Sequence, residues 1–145
     1  MTATTVVTAT FLTTDVISKT ISFTVSNIYN LGQAIFYTDS SVDLSSLEKL
    51  EKKLDLLSTI KIYDLWIQEV SYPLSSKALE ESIISFQNGL EKIHTLLYQL
   101  DEKIKLHKQK WFYSYRSLTF YNEMEDLQLY KNILDQRFQL IQQIK

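Results

Sequence analysis

From Leu79 onward, apolar residues return every three or four positions. The series is Leu79, Ile83, Phe86, Leu90, Ile93, Leu97, Leu100 and Ile104, with His107 and Trp111 completing it. Side chains so spaced share one stripe of an α-helix and drift only slowly around it. Ile84, Leu96 and Leu106 widen the stripe beyond a strict coiled-coil seam, which calls for more than one neighbour. Fully burying such a side chain stabilises by roughly 1.5–3 kcal/mol, and the cost of ordering the chain is set against that gain. The pattern predicts a helix over 76–108 at the centre of a helical bundle.

Upstream, two patterns compete. Ile21, Phe23 and Val25 alternate with Thr20, Ser22, Thr24 and Ser26, as in a strand. Ile17, Ile21, Val25, Ile28, Leu31 and Ile35 fit helical spacing equally well. No glycine, proline or turn cluster appears until Gly32, and no second strand pattern exists to pair with a first, which leaves a strand marginal. The reading taken is a helix over 15–37, preceded by a flexible, Thr-rich leader at 1–14. The hydroxyls and amides of 20–37 make a spanning segment unfavourable. A core-facing or interfacial amphipathic helix is the better fit, with Phe23, Tyr29, Phe36 and Tyr37 as candidate interfacial anchors.

A linker follows, ending in Ser45 and Glu48, which have the spacing of a capping box. Leu47, Leu50, Leu54, Leu57, Ile60, Tyr63, Ile67 and Val70 then predict one helix over 44–72, stopped by Pro73. Ser75 or Ser76 is placed to cap the central helix, with Glu80 and Glu81 near its positive end. A last series, Phe120, Met124, Leu127, Leu134, Phe138 and Ile141, predicts a helix over 115–144, with a second stripe at Tyr130, Ile133, Leu140 and Ile144. One unbroken helix from 76 to 145 would run about 100 Å, too long for a compact domain. A reversal is therefore expected between His107 and Thr119, although no glycine or proline marks it. The expected architecture is all-α: a four-helix bundle forming a single domain over 15–145.

Composition sharpens this picture. Two glycines and one proline in 145 residues favour few, long elements. A hydrophobic content of 45% argues against disorder. Residues 1–38 carry one acid, Asp15, and one base, Lys19, whereas the remaining 107 carry sixteen acids and fourteen bases. A net charge of −2 gives no global field to recruit nucleic acid. The absence of cysteine excludes disulfides, thiolate metal sites and cysteine nucleophiles. With no secretory n-region and apolar run, an intracellular setting is expected, cytoplasmic or peripheral to a membrane.

Candidate chemistry is sparse. His94 and His107, thirteen residues apart, face roughly opposite sides of one helix and cannot share a metal. Glu91 and His94 supply one E-x-x-H, half of a di-iron carboxylate set, and Ile104 stands where the second would need its Glu. Glu123, Glu125 and Asp126 read as a solvated helix face. No phosphate-cradling or nucleophile motif occurs. No cofactor and no enzymatic activity are expected.

The distinctive stretch is Lys103, Lys105, Lys108, Lys110 and Arg116, interleaved with Trp111, Phe112, Tyr113 and Tyr115. The plain reading is that the aromatics close the core while the lysines solvate the turn. The alternatives are an anionic lipid surface, a protein partner and, least favoured, stacking on single-stranded nucleic acid.

The order of a weakly charged first helix, a capped second, a leucine-rich third and an aromatic-basic fourth resembles the HeLo-like and MLKL-type four-helix bundles of cell-death proteins. The echo runs from Lys110-Trp111-Phe112 through Leu134. The resemblance implies oligomerisation through the bundle and membrane permeabilisation triggered by a partner domain. Short Ile-, Tyr- and Lys-rich helical proteins of large DNA viruses look similar in style. The leading expectation is a non-enzymatic, self-associating interaction or assembly module. The alternatives are a membrane-active bundle whose first helix engages lipid and a small structural or accessory protein of such a virus.

Overall fold

A computed structural model describes residues 2–37, 43–70, 76–110 and 118–144, with side chains for all of these except 2–15 and 70. It contains α1 (Thr2–Phe36), α2 (Ser45–Leu54), α3 (Leu56–Val70), α4 (Lys77–Lys108) and α5 (Tyr121–Ile144), and no strand among the described residues. The fold is all-α, a four-helix bundle whose second member is broken into α2 and α3.

The central seam lies where its spacing puts it. Leu79, Ile83, Phe86, Leu90, Ile93, Leu97, Leu100 and Ile104 are all buried, and so is His107. Leu96 joins them and Ile84 is half-buried, but Leu106 faces outward. α4 makes the two most extensive helix contacts in the molecule, with α1 and with α5. Phe86, Tyr63, Trp66 and Phe138 form the aromatic heart, with Tyr63 stacked on Phe138 at 3.9 Å between ring centroids.

α1 settles the competition upstream. Ile21, Val25, Ile28 and Ile35 are buried, so period 3.6 wins over period 2. The helix also runs through the Thr-rich residues expected to lead loosely into it. Ser18 and Ser22 face Gln68 and Asp64, while Gly32 meets Leu57, so α1 and α3 run antiparallel. A Cβ at Gly32 would stand 2.4 Å from Leu57 Cδ2, so any larger residue would force the buried Leu57 side chain to shift.

The expected single helix over 44–72 breaks at Asp55, which adopts a left-handed conformation (φ 50°, ψ 46°). Among non-glycine residues, aspartate and asparagine tolerate that region best. The elbow turns Leu56 and Leu57 inward, and the Glu51 carboxylate accepts a hydrogen bond from the Leu57 amide at 3.3 Å. The Ser45–Glu48 capping box does not form. Leu44 is the N-cap, and Asp43 Oδ1 accepts the Ser45 amide at 3.0 Å instead. Ser76 does cap α4, accepting from the Leu79 amide at 3.1 Å. α4 ends at Lys108 and α5 begins at Tyr121, so the break between them overlaps the expected window of His107 to Thr119 but runs past it, and α5 starts six residues later than the expected 115.

Candidate functional site

The lysine-aromatic stretch divides on inspection. Lys103 Nζ bonds the Thr119 carbonyl at 2.6 Å and Glu123 Oε2 at 2.9 Å, and it lies 5.3 Å from the centre of the Phe120 ring. It ties the end of α4 to the start of α5 and is not a displayed cation. Lys105 pairs with Asp101 at 2.9 Å, and that hydrogen bond and charge raise its pKa. Lys108 and Lys110 are exposed. Trp111, Phe112, Tyr113 and Arg116 lie outside the described residues. Beside the lysines, Tyr98, Leu106 and Leu118 line an apolar groove of about 440 Å³.

The expected constellations do not converge. Glu91 accepts from the buried Gln87 amide at 3.1 Å, which itself reaches Thr24 on α1 at 2.9 Å. Glu123 is taken by Lys103, while Glu125 and Asp126 are exposed. Between α4 and α5 a shallow cleft of about 680 Å³ is crossed by Arg137, whose Nη1 donates to the Ser85 carbonyl at 2.7 Å. Gly89 leaves room for that guanidinium: a Cβ there would stand 3.3 Å from Nη1. Among the described residues no group of three or more His, Asp or Glu could hold a metal.

The inward series on α1 leaves an outer face, and its composition is unusual. From Val16 to Tyr37 the exposed positions are Val16, Lys19, Phe23, Ser26, Asn30 and Tyr37, with Gln33 and Ala34 beside them. Lys19 is the one charge among them, whereas four of the six exposed residues of α2 are charged. Val16, Phe23, Asn30 and Tyr37 stand seven residues apart, and Phe23 and Tyr37 remain 68% and 53% exposed. Of the four expected interfacial anchors, Phe36 is instead buried and Tyr29 half-buried. Sequence reasoning missed this face as a unit, although the seven-residue spacing emerges once the inner series is removed.

Where α1 ends, a cleft of about 390 Å³ opens between it and the α2–α3 elbow, lined by Tyr29, Gln33, Tyr37, Glu51 and Asp55. Glu51 is buried, and its Oε2 has no hydrogen-bond partner among the described residues. Burial raises its pKa, against the lowering effect of the Leu57 and Leu56 amides. The Tyr37 phenol is also raised, first by desolvation and then by the Glu51 and Asp55 carboxylates. The cleft is therefore a region of negative potential with aromatic walls.

No helix among the described residues is long and apolar enough to cross a membrane. No family model, curated protein or solved structure matches the chain.

Proposed function

We propose that this protein is a non-enzymatic helical assembly module that self-associates through the outer face of α1. The observation that carries this reading is the exposure of Val16, Phe23 and Tyr37 on a face with a single charge. Interface centres are depleted of charge and enriched in aromatic residues, because desolvating a charge is costly and burying a ring is favourable. The 22 residues from Val16 to Tyr37 run about 33 Å, and a strip about 12 Å wide along them offers roughly 400 Å² per copy. Two copies would together bury roughly 800 Å², the size of a weak, transient contact, which suits association only at high concentration.

The non-enzymatic part is supported by how the half-buried ionisable groups are used. Lys103–Glu123 ties α4 to α5, and Tyr63–Asp135 at 2.5 Å ties α3 to α5. An intracellular setting fits a chain without cysteine.

The test is sedimentation equilibrium across a wide concentration range, with Phe23→Asp as the variant. The wild type is expected to dimerise and Phe23→Asp to stay monomeric with unchanged helicity. A wild type that is monomeric throughout overturns the reading.

A further inference from the structure

We infer that the second copy docks antiparallel on α1 and that Lys19 of each copy enters the partner's acidic tyrosine cleft. This rests on the self-association reading above and deepens it. Lys19 and Tyr37 are 18 residues apart, five helical turns, so they share one azimuth about 27 Å apart on the outer face. A two-fold axis at the level of Ile28 therefore sets each Lys19 opposite the partner's Tyr37.

Such an axis, perpendicular to the helices, keeps each lateral flank of α1 beside the matching flank of its partner. The cleft opens on the flank carrying Tyr29, Gln33 and Tyr37, and Lys19 shares Tyr37's azimuth. An ammonium group thus meets Glu51, Asp55 and the Tyr37 ring, a pairing that charge and cation–π attraction both favour. A parallel arrangement would instead place the two Lys19 side chains side by side and leave both clefts empty.

The charges around the cleft leave room for this guest. Lys61 sits 5.4 Å from the centre of the Tyr29 ring on the α3 side, so that ring already attracts a cation. Lys131 of α5 acts on Glu51 from below but is held by Asp135 at 2.8 Å. Lys19 makes no ion pair among the described residues. The small Ser26 falls opposite the partner's Asn30 near the axis, allowing the backbones to approach closely. Phe23 falls on the other flank, at the level of the partner's Ala34.

Sedimentation equilibrium on the full chain tests the pairing. Lys19→Glu sets a carboxylate against the acidic cleft twice per dimer, and the dissociation constant is expected to rise at least about tenfold. Adding Asp55→Asn to that variant removes a carboxylate from the cleft while keeping a residue that tolerates the left-handed backbone at 55, so it is expected to recover part of the affinity, and circular dichroism melts check that each variant folds. Because the chain has no cysteine, orientation can be read by oxidative cross-linking. A mixture of Lys19→Cys and Tyr37→Cys copies is expected to cross-link, and Lys19→Cys alone is not. If the wild type dimerises but Lys19→Glu leaves the affinity unchanged, the pairing is wrong and self-association stands. Cross-linking of Lys19→Cys to itself overturns the antiparallel arrangement. A wild type that never dimerises overturns both.

Discussion

At Glu51, burial and hydrogen bonding pull the same carboxyl in opposite directions, and burial wins. The side chain is held in place because it caps the first turn of α3 through the Leu57 amide. Its folded pKa lies above the ordinary value of 4.5. The stability linked to the protonated form is therefore complete below that value and is lost as pH rises through the folded pKa. Glu51→Gln keeps an acceptor for the amide and removes the titration. Unfolding free energies measured from pH 4 to 8 should show the variant gaining on the wild type as pH rises. A constant difference across that range would remove Glu51 as the source. Leu97, fully buried on the central seam, makes a simpler case. Leu97→Ala should cost about 2–5 kcal/mol in denaturant unfolding, whereas the exposed Lys92→Ala should stay within about 0.5 kcal/mol.

The helices themselves show what spacing can and cannot reveal. The α4 seam was legible because eight apolar residues repeat with no competing period, and burial follows that repeat to His107. In α1 the hydroxyl residues blurred the pattern, since Thr and Ser fit a strand as well as a helix. The isoleucines at 28 and 35 lie beyond the alternating run and decide for the helix. The break at Asp55 was not legible. Leu47, Leu50, Leu54 and Leu57 keep helical spacing straight across it, and no glycine announces the left-handed residue. Glu51 gave no signal either, since charges such as Glu48, Lys49, Lys52 and Lys53 flank the apolar series throughout this segment.

Two glycines mark how closely helices approach, and they differ. A Cβ on Gly32 would overlap the buried Leu57, while one on Gly89 would meet Leu134 at 3.1 Å. Alanine gains up to about 1 kcal/mol in helix propensity at either site, but overpacking costs about 1–3 kcal/mol. Gly32→Ala should therefore destabilise thermal unfolding and Gly89→Ala should be close to neutral. The reverse order would mean that α1 and α3 pack less tightly than described. Lys103 acts at the same scale, joining α4 to the first turn of α5 through Thr119 and Glu123. Its signature as a tie, not a displayed charge, was hidden because both partners come after the reversal in the chain.

For the whole molecule, the lipid alternative rests on two features that now separate. Among the four lysines singled out, Lys103 and Lys105 are engaged by acids, which leaves Lys108 and Lys110 as exposed cations. Each contributes about 1 kcal/mol near an anionic surface. The other feature, the outer face of α1, supplies Phe23 and Tyr37 but hides Ile21, Ile28 and Phe36 in the core. Deeper engagement would have to pull those residues out of the bundle, at a cost comparable to unfolding it. The lipid reading therefore predicts peripheral binding only. Co-sedimentation with anionic liposomes should fall with added salt and drop about tenfold or more for Lys108→Gln with Lys110→Gln, at roughly 1 kcal/mol lost per lysine. Lys103→Gln should lower stability and leave liposome binding in place. Because dimerisation and lipid would compete for the α1 face, liposomes should also shift the dimer toward monomer. If the protein stays in the supernatant at low salt, the lipid reading is overturned; if it sediments but liposomes leave its dimer equilibrium unmoved, lipid does not engage the α1 face.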